Sequence, residues 1–304
     1  MRARPRRCGT HVARLRGRTA AVAVVAGLAL GLVAAAAAGA QAATIHSTSS
    51  NWAGYVARRA GVSFRHVRGT WTVPAVDCSS GGAASSASWV GLGGYAATSQ
   101  ALEQLGTESD CSRSGTATYS AWFEVVPAAA TTARLTVRPG DVVSASAAVS
   151  GHLVTLKMTD ETRGTTATKT VRAATVDTTS AEWIVEAPAL CSGSATSDAG
   201  CEQTTLANFG STGFSAASAT TRAGHAGTVL DRAWNAVAIT LSPAAQGRGG
   251  GFPGGPGGGR GGGSDGPGGV AETTAAASGG ATPGTLSAAG DAFAVAYGAI
   301  GSGA

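Results

Sequence analysis

Short runs of alternating apolar and polar residues, each closed by turn residues, constrain this chain's fold more than any other feature. A period of two puts successive side chains on opposite faces, which marks half-buried strands. Such runs span residues 63–73, 88–92, 119–126, 134–137, 142–149, 153–158, 182–186, 229–241 and 292–297. Turn residues such as Pro139-Gly140-Asp141 separate them. Alanine is abundant, but it is mixed with Thr, Ser, Val and Gly, and no long stripe at helical spacing appears. Many short strands at regular turn intervals imply an all-β, antiparallel sandwich or barrel.

Two tracts fall outside this pattern. Residues 1–43 carry seven arginines before residue 20, then an apolar stretch from Thr19 to about Ala38, then Ala40-Gln41-Ala42. A basic start, an apolar middle and an A-x-A close describe a secretion signal. A transmembrane anchor is the alternative, since the run approaches the ~20 residues that span a bilayer. Its weakly apolar second half and the A-x-A site favour cleavage. The product is expected to be secreted, with no stable membrane association. Residues 247–269 hold 15 Gly in 23 positions, plus Pro253, Pro256 and Pro267. Such a tract buries too little to offset its ordering entropy, and is expected to be a disordered surface insertion. An alternating strand follows it at Ala292–Tyr297. Residues 44–304 are therefore expected to form a single domain around the insertion.

Charge position removes one function class. The chain carries 22 Lys+Arg and 17 Asp+Glu, for a net +5. Seven of the basic residues lie in the export segment, so residues 44–304 have 15 basic and 17 acidic side chains, 15 − 17 = −2. That balance gives no electrostatic footprint for nucleic acid. Export also favours disulfides. Cys8 leaves with the signal, and Cys78, Cys111, Cys191 and Cys201 remain. Cys191 and Cys201 bracket a polar loop and form the preferred pair, which leaves Cys78 with Cys111. No C-x-x-C or H-x(3–5)-H spacing suggests a metal site.

Familiar catalytic patterns are missing. The sequence has no H-E-x-x-H and no D-[TS]-G. Its G-x-S-x-G, at Gly262–Gly266, lies inside the Gly-rich tract, where no strand-to-helix elbow can form. His46, His66, His152 and His225 are scattered without a motif. Carboxylates and amides are better placed. Alternation puts Glu182, Ile184 and Glu186 on one face of a strand and Trp183 and Val185 on the other. Trp122, Glu124 and Val126 share a face, as do Leu102 and Gln104. Glu182 and Glu186 stand roughly 13 Å apart on one strand. That exceeds the roughly 5–9.5 Å of a glycosidase pair, so a glycan-cleaving site would need Glu103 or Glu124 from another strand.

Six segments occur in one order: Ser50-Asn51-Trp52-Ala53-Gly54-Tyr55, Trp89-Val90-Gly91-Leu92-Gly93-Gly94, Leu102-Glu103-Gln104-Leu105-Gly106, the run Tyr119–Pro127, Ala181–Glu186, and Phe209-Gly210-Ser211. Together they resemble the glutamic peptidase (eqolisin) family, from about Ser50 to Tyr297. The resemblance implies a two-sheet antiparallel β-sandwich of concanavalin-like type with a cleft on one sheet. It implies an acid endopeptidase, monomeric, without metal or cofactor, acting on polypeptide substrates. Carried over by motif, the catalytic pair falls on Gln104 and Glu186, and Trp89, Trp122 and Glu124 fall on cleft-lining positions. Glu186 would act as general base, and the Gln104 amide would stabilise the oxyanion. If the strand were bulged, Glu182 would take the place of Glu186. One departure stands out: Gly93 occupies a position where the family often carries an acid. The competing reading is a carbohydrate-binding or glycan-cleaving sandwich, suggested by the tryptophans and carboxylates.

Overall fold

The computed structural model describes residues 44–191, 201–242 and 279–298; the side chains of 190, 191, 201 and 202 are outside that description. Residues 1–43, expected to be a secretion signal, and the Gly-rich tract also lie outside it. Every regular element among the described residues is a strand. The first sheet runs, in order, β16 (Asn235–Leu241), β2 (Trp52–Arg58), β11 (Ser180–Glu186), β4 (Ala84–Gly93), β5 (Leu102–Cys111), β6 (Ala117–Val125) and β7 (Thr131–Thr132). β1 (Thr44–Ser49) joins β16 in parallel, an exception to the antiparallel rule. The second sheet runs β10 (Thr165–Arg172), β9 (Leu153–Asp160), β8 (Val142–Ser150), β3 (Phe64–Thr72), β14 (Ser211–Thr221), β18 (Phe293–Gly298) and β17 (Gly280–Pro283). β15 (Ala226–Thr228) pairs with β14. A single pairing, Leu241 with Ala281, connects the two sheets at one edge.

The alternation expected from the sequence places the core. Val90, Leu92, Leu105, Trp183 and Val185 of the first sheet are buried with Val67, Trp71, Leu156, Met158 and Phe214 of the second. Buried indoles need a partner for their N–H. Trp183 donates to the Arg68 carbonyl at 2.7 Å, and Trp71 donates to Thr107 Oγ1 at 2.9 Å. Both bonds cross the sandwich and fix one sheet over the other.

Two expected strands are corrected. Residues 134–137 are not a strand, although Leu135 and Val137 are buried. The segment crosses from β7 in the first sheet to β8 in the second. Its apolar side chains plug the core, but its backbone has no strand beside it. In 229–241 only 235–241 pairs; Val229–Trp234 forms a turn in which Asp231 accepts the Ala233 N–H at 2.8 Å. A short strand, β17, was not anticipated from the sequence, and it stands between the Gly-rich tract and β18.

Cys78 and Cys111 form a disulfide across a Cα–Cα distance of 5.4 Å. Cys191 and Cys201 face each other in the backbone register of β12 (Ala189–Cys191) and β13 (Cys201–Gln203). The 78–111 bond closes a loop of 33 residues, for which chain entropy gives roughly 3–4 kcal/mol. Replacing both cysteines by serine is expected to lower the unfolding free energy by that amount. A denaturant midpoint unchanged from wild type would contradict it.

Candidate active site

The outer face of the first sheet carries a second apolar cluster, formed by Trp52, Val56, Ala87, Trp89, Leu102, Trp122, Ile184, Val237 and Ile239. Polar side chains stand among them in a regular grid. One row across β11, β4, β5 and β6 reads Glu182, Gly91, Gln104, Glu124. The next on this face reads Ile184, Trp89, Gly106, Trp122, and the third reads Glu186, Ala87, Glu108, Ser120. The strand alternation thus brings Gln104, Glu186, Trp89, Trp122 and Glu124 to one surface. β11 is unbulged in its pairings, so Glu182 and Glu186 both face outward, two rows apart.

Glu186 is fully buried. Trp89 Nε1 donates to its Oε2 at 2.8 Å, and Asn51 Nδ2 donates to its Oε1 at 3.1 Å. Ser49 Oγ in turn donates to Asn51 Oδ1 at 3.0 Å, which fixes the amide. Burial pushes the Glu186 pKa well above the carboxylate range, and the Trp89 bond opposes it. The Glu124 charge raises it further, while Trp52 and Asn51 lower it. Trp52 packs edge-on against Trp89, with ring centroids 5.1 Å apart, and so holds the indole that serves Glu186. Asn51 and Trp52 lie in the Ser50–Tyr55 segment, but the sequence alone gave neither a role; the adjacency of an amide to a buried Trp was the available signal.

Gln104 is fully buried and donates from Nε2 to Glu124 Oε2 at 2.6 Å. Its Oε1 has no hydrogen-bond partner among the described residues, nor has Trp122 Nε1. Glu124 is pushed up to about 7 by burial, against the Gln104 bond. Glu108, beside Asp110 on β5, is raised to about 7 by burial and then by the Asp110 charge. Gln104 and Glu186 are separated by two strand steps and two rows, which is four residues along the strand, roughly 16 Å between α-carbons. Trp89 and Gly106 lie in the row between them. No group of three or more metal-ligating side chains occurs among the described residues.

Glycine shapes the floor between them. A Cβ on Gly106 would lie 2.4 Å from the Ser88 carbonyl oxygen and 2.6 Å from Trp89 Cβ. Gly106→Ala is therefore expected to displace Trp89 and to cost about 1–3 kcal/mol, as overpacking does. Thermal unfolding checks this, and an unchanged midpoint would refute it. Gly93 has φ +82°, and a Cβ there would fall 2.5 Å from Asp177 Cβ. The Asp177 carboxylate fills that place from the loop before β11. It accepts from the Gly94 N–H at 3.2 Å and from Ser99 Oγ. Gly93 thus leaves no vacancy: a carboxylate from another segment occupies the space.

Residues 50–244 match the Peptidase A4 family. The crystal structure of scytalido-glutamic peptidase with a transition state analog inhibitor aligns at 26% identity and a TM-score of 0.50, over 57% of this chain and 81% of that one. SCP-B, a member of the eqolisin family in complex with the tripeptide Ala-Ile-His, aligns at 26% identity and a TM-score of 0.47, over 58% and 82%. No curated protein sequence matches. Nearly two thirds of the sequence falls within that family match, and the chain belongs to the Peptidase A4 family, the eqolisin glutamic peptidases.

Proposed function

We propose that this peptidase is a secreted, acid-acting endopeptidase whose catalytic pair is Glu186 and Gln104. The observation that carries the reading is a fully buried carboxylate, held by Trp89 and Asn51, on the same sheet face as a buried amide. Ionised Glu186 takes a proton from water as the water oxygen bonds to the scissile carbonyl carbon. The raised pKa makes the ionised form a stronger base but leaves only a fraction of it ionised in acid, so the rate also falls toward low pH. The carbonyl oxygen becomes an oxyanion, to which the Gln104 NH₂ donates. The C–N bond then breaks, and Glu186 returns the proton to the leaving amine. The products are a carboxylic acid and an amine. Gln104 cannot titrate, so its donor survives in acid. Glu124 fixes the amide so that Nε2 has one N–H left for substrate. Trp122 Nε1 offers a further donor from the same surface.

Below about pH 7 the cleft gains protons on Glu108 and Glu124 and sheds mutual repulsion, which favours acid operation. Incubating the mature protein with an unfolded protein substrate across the acid range is expected to release peptides, with the rate falling above about pH 7. The glycan reading is weakened by the burial of Trp52, Trp89 and Trp122, which present no open stacking platform. Sugar release without peptide release at any pH would restore it.

A further inference from the structure

The outer faces of the two sheets differ in their balance of charge. Glu108, Asp110, Glu124, Glu182 and Glu186 all belong to the outer face of the first sheet. The outer face of the second sheet is basic instead. Arg65, His66 and Arg68 on β3 and Lys157 on β9 line two adjoining depressions of about 270 and 380 Å³ that share His66. Arg68 stands opposite Ser146 on β8, which stands opposite Lys157. The two cations are therefore two strands apart, roughly 10 Å between α-carbons. Both are exposed, and neither has a carboxylate partner among the described residues. Glu161 is the acid on the rim, and it accepts from Ser144 Oγ.

What lies around the cations restricts the ligand. Thr70, Ser144, Ser146, Thr155 and Thr159 line the depressions with hydroxyls. No Trp, Tyr or Phe lines either one. Neutral sugars and nucleobases are held largely by stacking on aromatic faces, so this surface suits neither. Repeated carboxylates with flanking hydroxyls match it: cations meet the charges, and Ser/Thr ladders meet the hydroxyls. The Arg68–Lys157 separation is on the scale of one disaccharide repeat.

We propose that the outer face of the second sheet is a docking site for an acidic polysaccharide bearing uronate carboxylates, which would hold the peptidase on a polyanionic matrix with its cleft turned away. The burial-lowered pKa of His66, pulled down further by Arg68 and Arg65, reports the same positive field.

The test is retention of the mature protein on immobilised polygalacturonate and on neutral dextran, at low salt and about pH 5, where Arg and Lys are charged. Retention on polygalacturonate but not on dextran is expected, and about 1 M salt should abolish it by screening. Arg68→Glu with Lys157→Glu should weaken binding at least tenfold, and Glu161→Gln should strengthen it a few-fold. Cleavage of a short neutral peptide should not change in these variants, because the substitutions lie on the face opposite the cleft; that readout also certifies their folding. Absent retention on polygalacturonate, equal retention by the double variant, or equal retention on dextran or single-stranded DNA would each overturn the proposal. A protein that binds polygalacturonate and cleaves no peptide would leave this docking site standing while removing the catalytic reading.

Discussion

Glu186→Gln is expected to lower kcat/KM on a peptide substrate by about 10³-fold or more, within the range for loss of a general base. Glutamine keeps the shape of the side chain but cannot take the proton from water. Both Glu186 oxygens accept from N–H donors, Trp89 Nε1 and Asn51 Nδ2. The new NH₂ must therefore face one of them, a mismatch of about 1–3 kcal/mol. Removing a fully buried carboxylate offsets part of this cost, so the variant should still fold. Gln104→Ala should cost about 10²–10³ in kcat with little change in KM, as loss of an oxyanion donor does. The expected split is thus a base whose loss is near-complete and a donor whose loss is partial. Full activity in either variant, with circular dichroism unchanged, would remove that residue from the mechanism.

Stability should fall steeply as pH rises from about 4.5 toward 8, the interval between the ordinary and the raised glutamate values. Burial raises Glu103 to about 8, Glu108 to about 7 and Glu124 to about 7. Glu182 is also pushed well above the ordinary 4.5 by burial, with the Ser180 hydroxyl opposing the shift and the Asp177 and Glu103 charges adding to it. The sign follows from proton counts. Below 4.5 folded and unfolded states both hold these protons, so nothing is lost. Above it the unfolded chain ionises while the folded chain keeps its protons, and the folded state loses ground until its own groups titrate. Glu103 alone contributes on the order of 5 kcal/mol over that range. A fall of 10 °C or more in Tm is expected for a chain of this size. In strong acid a weaker opposite trend begins. For Asp177, burial acts upward, but the bonds from Ser99, Thr179 and Gly94 outweigh it and hold the carboxyl low. Thermal scans at several pH values, beside Glu103→Gln and Glu182→Gln, check the account. Both variants should flatten the curve, and a wild-type Tm that is level or rising with pH would contradict it.

Strand periodicity alone placed Glu186 with Glu182 and Ile184, Trp122 with Glu124, and Gln104 with Leu102, and the structure keeps each group on the outer face of the first sheet. The same periodicity misread residues 134–137. Alternation reports which side chains are buried, and Leu135 and Val137 are; it does not report whether another strand lies alongside. Asn51 and Trp52 were legible as letters of a motif but not as partners of Glu186. Their roles depend on β2 pairing with β11, a contact spanning more than 120 residues. Glu103 shows the same limit. Alternation puts it toward the core, yet only the Asp177 N–H, reaching it at 3.3 Å from a distant loop, shows how that carboxyl is accommodated.

Periods of two, turn residues and six ordered segments determined the all-β class, which candidate residues share a strand face, and the family. These are local properties, written in spacing along the chain. Tertiary structure decided which rows face each other across strands, that Asp177 fills the place beside Gly93, and that the outer faces of the two sheets differ in their balance of charge. Those depend on register and on the packing of one sheet over another. Register is fixed only when distant strands close against a shared core.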